Sequence, residues 1–315
     1  MRVETVHVDV SEAVDLPGPQ HTAATVFAPD PLPDELVVAL GFPGGGYNRL
    51  YFDLPVELPG PGGSSEARWH AERGWCFVAC DHLGVGDSSR PEPASLTIES
   101  LAAANDATVR AVTTSLGPAR VRARLGFGQS MGGCLTIVTQ ARHRTFDGIG
   151  ILGYSAIHTV LPTPPGRSTS QPEVARGAAA DIRETTEMIG RETFRYAFFW
   201  EDVPAELVEH DLADYPLRSG AEAPPWASPP PPCAVPMLSP GVVAGEAAQI
   251  DVPVLVGAGE RDTVPDPDRE PGAYPKADVT VFVAPRMAHM HDFASTRELL
   301  WARIHSWGDA VAATR

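Results

Sequence analysis

Basic residues are scarce in this chain of 315 residues, in which 24 lysines and arginines stand against 40 aspartates and glutamates for a net charge of −16. Nucleic acids and anionic membranes both attract proteins through a basic face, so this balance argues against either partner. Long apolar stretches are missing too, because no window reaches the roughly 18 apolar residues of a membrane span. The N-terminus lacks the basic start and apolar stretch of a signal peptide. We therefore expect a soluble, cytoplasmic protein.

Cysteine is also rare, with four in the whole chain: Cys76, Cys80, Cys134 and Cys233. Their spacing contains no pair typical of metal ligands. The first three lie in apolar strand-like or helix-like surroundings, which indicates buried thiols. We expect neither a metal nor an organic cofactor.

The apolar content is high enough for one large core. Hydrophobic residues make up 43% of the 315 residues, which suffices for a single core with an insertion and requires no second full domain. The sequence leaves open whether the chain forms a homo-oligomer.

A serine between two glycines marks a predicted corner between a strand and a helix. Residues 128–132 read Gly-Gln-Ser-Met-Gly, after the apolar stretch 121–127 and before the apolar run 134–138. Glycines are needed two residues either side of the serine, because a Cβ there would collide with the neighbouring strand and helix. Such a turn exposes the hydroxyl, and the first free N–H groups of the helix can stabilise an oxyanion beside it. Ser130 is therefore a candidate nucleophile.

A carboxylate and an imidazole that could serve this serine both follow predicted strands further along the chain. Asp262 comes shortly after the apolar, β-branched run 252–257, and His289 follows a second such run at 279–284. Nucleophilic serine chemistry requires a base and an orienting acid. We expect His289 to be the base and Asp262 the acid.

Other residues compete for both roles. His291 lies two residues beyond His289 and is an alternative base, although it falls closer to the start of the final predicted helix. Asp266 and Asp268 are alternatives for the acid, but their proline-punctuated loop favours solvated carboxylates. Asp251 precedes its strand and lies at the wrong end of it.

With serine, aspartate and histidine in this order, each just past a strand, the chain resembles the α/β-hydrolase superfamily over nearly its whole length. Residues 41–47, Gly-Phe-Pro-Gly-Gly-Gly-Tyr, are similar to the family's oxyanion loop, although Phe-Pro replaces the usual His-Gly pair. The resemblance implies one oxyanion donor in the backbone of Gly44 or Gly45, with Phe42 a less favoured candidate. It implies a second donor in the N–H group of Met131.

The pattern of elements agrees with this resemblance. Strand-like and helix-like segments alternate, which predicts an α/β fold with a mostly parallel, doubly wound sheet of about eight strands. The alternation stops over residues 156–249, a helical and proline-rich stretch that we interpret as a cap inserted between core parts 1–155 and 250–315. Asp81 and Asp87 lie in a segment that resembles the structural turn after the family's fourth strand, so we assign them no catalytic role.

The predicted cap carries aromatic and basic side chains. Residues 184–200 are expected to form one or two helices, whose aromatic side chains pack the cap onto the core, line an acyl pocket, or do both. Three cap residues, Arg183, Arg191 and Arg195, together with Arg286 near the base, are candidates for binding an anionic ester. Solvated surface charge is the favoured interpretation of these four.

The chemistry implied is acyl transfer to water through a covalent intermediate. Dehalogenases and epoxide hydrolases of the superfamily use an aspartate where this chain has Ser130, so those activities are excluded. We expect cleavage of a small or medium organic carboxylic ester, which is the small-molecule partner. Carbon–carbon bond hydrolases, perhydrolases and acyltransferases use the same triad and are alternatives, as is a non-catalytic ligand-binding protein.

Overall fold

The computed structural model describes residues 1–116, 120–168, 171, 173–178 and 180–315. Its strands are β1 (Arg2–Asp9), β2 (His21–Ala28), β3 (Glu35–Phe42), β4 (Cys76–Cys80), β5 (Arg120–Gln129), β6 (Gly148–Leu152), β7 (Val254–Arg261) and β8 (Val279–Ala288). Its α-helices are α1 (Glu66–Ala71), α2 (Ile98–Ser115), α3 (Met131–His143), α4 (Ile182–Ile189), α5 (Arg191–Phe198), α6 (Ala205–Asp211), α7 (Ala244–Ala247) and α8 (Arg297–Ala312).

These strands form one eight-stranded sheet in the order β1-β2-β4-β3-β5-β6-β7-β8. Strand β2 pairs antiparallel with β1 and with β4, whereas all pairs from β4 to β8 are parallel. The prediction of a mostly parallel, doubly wound sheet of about eight strands is confirmed. In such a sheet the carboxyl ends of the parallel strands meet at one edge, where ligands bind in open α/β folds.

The sheet separates two buried apolar clusters. On one face α2 and α3 contribute side chains such as Leu101 and Leu135, and on the other α1 and α8 contribute Ala67 and Leu300. Alternate residues of each strand point to opposite faces, so both clusters include strand side chains. This double burial holds the strand ends in fixed positions.

Strands β7 and β8 run further than their hydrophobic patterns predict. The apolar runs end at residues 257 and 284, yet β7 continues to Arg261 and β8 to Ala288. The two strands stay paired to Arg261 and Ala288 after a register shift, because backbone pairing does not depend on apolar side chains. Residues 259–261, which follow the apolar run, therefore belong to β7.

Residues 156–249, here called the insert, connect β6 to β7. The expected helices at residues 184–200 are α4 and α5, which Gly190 separates with a φ of 84° that favours glycine. The insert is hydrogen-bonded to the carboxyl edge of the sheet through the N–H groups of His289 and Met290, which donate to carbonyl oxygens of α5 at 3.0 and 2.9 Å. In the described part of the chain, no helix combines the length and apolar character that crossing a membrane requires.

Candidate active site

Ser130 lies on the tight turn between β5 and α3, with φ 53° and ψ −116°. This is a backbone conformation that side-chain-bearing residues rarely adopt, and it persists only where the surroundings impose it. A Cβ added to Gly128 would collide with the backbone of α3, and one added to Gly132 would collide with the carbonyl of Phe42. The two glycines thus let strand, turn and helix approach closely enough to hold the half-buried serine at the carboxyl edge.

His289 and Asp262 lie in a hydrogen-bonded row with Ser130. Nε2 of His289 is 2.9 Å from Oγ of Ser130, and its Nδ1 is 2.7 Å from Oδ1 of Asp262. Arg261 pairs with Ala288 at the ends of β7 and β8, and Asp262 and His289 directly follow these two residues. The strand pairing therefore brings the carboxylate and the imidazole together. An ionised carboxylate only accepts, so Nδ1 carries the ring proton and donates it to Asp262, which leaves Nε2 to accept from the hydroxyl of Ser130.

Asp262 is buried and accepts further hydrogen bonds. Its Oδ1 accepts from the N–H of Thr263 at 2.6 Å, and its Oδ2 accepts from the N–H of Gly259 at 2.8 Å. Burial by itself raises the pKa of this carboxyl, but the neighbouring His291 and His289 outweigh burial and hold the pKa well below its usual range. Asp262 is therefore ionised at neutral pH and acts only as an acceptor.

The rival residues are placed elsewhere. Nε2 of His291 is 2.6 Å from Oδ2 of Asp262, so this ring contacts the carboxylate and not the serine. Asp266 and Asp268 are exposed beyond the end of β7, where Asp268 lies in a short 3-10 helix, Pro267–Ala273. Asp251 pairs with Arg144 before β7 begins.

The glycine loop after β3 lies against the serine turn. A Cβ on Gly44 would be 3.2 Å from Cβ of Ser130, and one on Gly45 would be 3.8 Å from Cβ of Met131. Both glycines therefore lie beside the start of α3, where Met131, as the first helical residue, has an N–H group without a partner in the helix. Phe42 is the last residue of β3, and its buried ring stacks on His82.

Two polar side chains that hold this region were not identified from the sequence. Nε2 of His82 is 3.0 Å from the carbonyl oxygen of Pro43 in the glycine loop. Gln129, inside the serine motif, donates from Nε2 to the carbonyl oxygen of His289 at 2.9 Å. The one sequence signal for Gln129 is its position directly before the candidate nucleophile. The sequence around His82 gives no comparable signal.

Asp81 ion-pairs with Arg49 and accepts from the N–H of Asp87 at 2.9 Å.

A cavity of about 120 Å³ opens beside Ser130 and His289. Much of its wall comes from apolar side chains of the insert, among them Leu161, Ile189, Phe194, Phe198, Val235 and Met237. No Asp, Glu, Lys or Arg occurs among the described residues that line it. The arginines considered for anion binding lie outside it: Arg191 and Arg195 pair with Glu209, Arg183 is exposed, and Arg286 is exposed near Asp202.

Histidine, cysteine and acidic side chains do not form a group of three that could hold a metal ion anywhere in the described ranges. All four cysteines carry free thiols, three of them buried and Cys233 partly so. Burial raises the pKa of Cys76, Cys134 and Cys233 to about 12.

Comparison with known proteins identifies the fold. No protein-family model matches the chain, and no curated protein does. Among solved structures, the proline iminopeptidase of Mycobacterium smegmatis is similar at 17% identity and TM-score 0.63, with 99% of each chain covered. A peroxisomal alpha-beta-hydrolase of Saccharomyces cerevisiae is similar at 11% and 0.61, covering 100% of this chain and 90% of its own. A bromoperoxidase of Bacillus anthracis is similar at 16% and 0.60, covering 95% of this chain and 100% of its own.

Similarity at this level of identity defines the architecture, and the sheet order and serine turn described above agree with it. The chain has the α/β-hydrolase fold.

Proposed function

We propose that this protein is a serine hydrolase that cleaves a small or medium carboxylic ester through an acyl-enzyme intermediate. The observation that carries the proposal is the row of hydrogen bonds from Ser130 to His289 at 2.9 Å and from His289 to Asp262 at 2.7 Å. Nucleophile, base and orienting acid are thus within reach of one another before any substrate binds.

In this mechanism Ser130 attacks the ester carbonyl while Nε2 of His289 takes the hydroxyl proton. The same nitrogen then gives that proton to the leaving alcohol, and a water molecule repeats the sequence to release the acid. Asp262 fixes the ring with its proton on Nδ1 and stabilises the imidazolium form. The N–H of Met131 and that of Gly44 or Gly45 would stabilise the oxyanion, and one such donor is typically worth about 10²–10³ in rate.

The cavity supports an uncharged acyl group as the substrate portion bound beside the serine. Its volume of about 120 Å³ is close to that of an engineered apolar cavity, roughly 150 Å³, that binds benzene. A charged group entering it would lose hydration without meeting an Asp, Glu, Lys or Arg side chain of opposite charge in the described lining, which is costly. We therefore favour short aliphatic or single-ring acyl groups over anionic monoesters.

We also propose that the insert, residues 156–249, is a cap on a core formed by residues 1–155 and 250–315. The support is that the insert supplies much of the cavity wall and is hydrogen-bonded to the carboxyl edge. A cap in this position would exclude water and select the acyl group. A cytoplasmic location is part of the same proposal.

The test combines covalent labelling with turnover. Wild-type protein and the variants Ser130→Ala and Ser306→Ala are treated with a fluorophosphonate probe and assayed with p-nitrophenyl esters of graded acyl length. Ser306 is exposed on α8 and serves as the matched control. We expect stoichiometric labelling and turnover in wild type and Ser306→Ala, and neither in Ser130→Ala.

Each other result points to a different function. Absence of labelling in folded wild-type protein would favour a non-catalytic binding protein. Labelling without ester turnover would direct the assay to carbon–carbon substrates, to acyl transfer onto alcohols and to peroxide as acceptor, since those reactions use the same three side chains.

A further inference from the structure

One carboxylate lies between two imidazole rings at this site. His289 approaches Oδ1 of Asp262 at 2.7 Å, and His291 approaches Oδ2 at 2.6 Å, with the ring centres 6.3 Å apart. The side chain of His291 is only 3% exposed. His291 is not among the described residues that line the cavity, so its contact is with the acid and not with the space for substrate.

The direction of the second hydrogen bond follows from the charge of Asp262. An ionised carboxylate only accepts, so Nε2 of His291 must donate. Nδ1 of His291 is buried and has no hydrogen-bond partner among the described residues.

The other ionisable groups near His291 do not compete for this bond. Asp292 is the next residue, and Glu66 and Tyr51 lie beyond it. Burial, followed by the effect of Glu66, raises the pKa of Asp292 well above its usual range, and burial raises the pKa of Glu66 to about 8. Because their raised pKa values favour the protonated forms of Asp292 and Glu66, Asp262 is the ionised carboxylate that accepts from His291.

Building on the proposed function, we propose that His291 is a positioning residue, which donates to Oδ2 of Asp262 and so sets the orientation and the effective charge of the acid that faces His289. Without this donor, Oδ2 keeps only the N–H of Gly259. The carboxylate can then rotate more freely, which slows the reaction. With one hydrogen bond fewer, the carboxylate of Asp262 also keeps more of its negative charge. It therefore stabilises the protonated form of His289 more strongly.

The test compares His291→Leu, which removes the donor, with His291→Gln, whose amide nitrogen occupies nearly the position of Nε2. His143→Leu makes the same exchange at a half-buried histidine at the end of α3 and is the control. kcat and KM are measured with p-nitrophenyl butyrate from about pH 5 to about pH 9. Fluorophosphonate labelling rates are measured in parallel.

For His291→Leu we expect kcat to fall about tenfold, the effect of one hydrogen bond to a charged group, with KM unchanged. The acid limb of the kcat/KM profile should move to higher pH, and labelling should slow in proportion to kcat. His291→Gln should stay within about twofold of wild type, and His143→Leu should match wild type.

Three results would overturn the proposal: wild-type kcat in His291→Leu, an acid limb that stays in place or moves to lower pH, or equal losses in the leucine and glutamine variants. If His291→Leu does not fold, His291→Asn replaces it, because asparagine is polar but too short to reach Oδ2. Labelling of wild-type protein keeps the two proposals apart, since it fails only if Ser130 is not an activated nucleophile.

Discussion

The hydroxyl of Tyr47, in the glycine loop, donates a 2.7 Å hydrogen bond to Oδ2 of Asp211 at the end of α6. Asp211 also accepts from the indole of Trp226 at 2.6 Å and ion-pairs with the fully buried Arg218 at 3.2 Å. Next to this cluster the N–H of Asn48 donates to the carbonyl of Trp226 at 2.9 Å. The insert is thus tied to the loop that lies beside Ser130.

Tyr47→Phe is predicted to weaken this tie without changing the shape of the core. Removing the hydroxyl leaves Oδ2 of the buried carboxylate with only the long 3.5 Å hydrogen bond from Arg218, so the free energy of unfolding should fall by about 1–3 kcal/mol. kcat should fall as well, because Gly44 and Gly45 are held less firmly. Urea unfolding and ester turnover measure the two effects.

The control is Tyr196→Phe, which removes a hydroxyl from a half-buried tyrosine of α5. Equal behaviour of the two variants in both measurements would mean that the bond to Asp211 does not contribute.

Gly132→Ala is predicted to abolish activity through the backbone alone. The added methyl group would collide with the carbonyl of Phe42, so strand, turn or helix must shift, at a cost of about 1–3 kcal/mol or more. Fluorophosphonate labelling of Ser130 should be lost. Gly245→Ala, in α7 with no atom within 4 Å of its added Cβ, should leave labelling and stability near wild type. Normal labelling in Gly132→Ala would contradict the close packing described for the turn.

Ala234→Leu is predicted to shift the preference toward shorter acyl groups. Ala234 lines the cavity, so the three added carbon atoms take space from the substrate. For p-nitrophenyl hexanoate kcat/KM should fall roughly 10–200-fold, the range for one misplaced methylene, while the acetate is less affected. Ala302→Leu, on the exposed side of α8, is the control. An unchanged ratio of the two esters would place the acyl group outside this cavity.

Glu66 is predicted to make the protein less stable as pH rises. Burial raises its pKa from 4.5 to about 8, so the folded protein binds a proton that the unfolded chain releases in this interval. The contribution of Glu66 to the free energy of unfolding is fully present below about pH 4.5. It decreases as the pH rises to about 8, by at most about 1.4 kcal/mol per pH unit. Glu66→Gln lacks this loss. Urea unfolding at several pH values should find the variant gaining on wild type toward alkaline pH, and a constant difference would contradict the assignment.

The sequence was sufficient to predict the sheet and the neighbourhood of the three central side chains, for reasons visible in particular residues. Ser130 lies in a five-residue motif whose two glycines are needed for the close approach of strand and helix. Asp262 and His289 both follow apolar runs that form adjacent strands. The actual ends of β7 and β8 depend on the pairing of Arg261 with Ala288. Both residues lie beyond the apolar runs, so no hydrophobic pattern in the sequence predicts that they pair.

Long-range contacts made by polar side chains were beyond sequence reasoning. Tyr47 and Asp211 are separated by 164 residues, and neither has a local signal for the other. His291 competes with His289 as the base in the sequence, because spacing alone does not show which of the two rings approaches Ser130. The choice between Gly44 and Gly45 as oxyanion donor likewise depends on the orientation of single N–H groups.

The left-handed backbone of Ser130 has a practical consequence for experiments on this protein. The conformation exists only while strand, helix and glycine loop enclose the turn, so it relaxes when that edge of the sheet opens. Under the proposed function, a reagent that modifies this hydroxyl therefore counts intact molecules, and the speed of its reaction can serve as a sensor of local damage during heating, storage or purification.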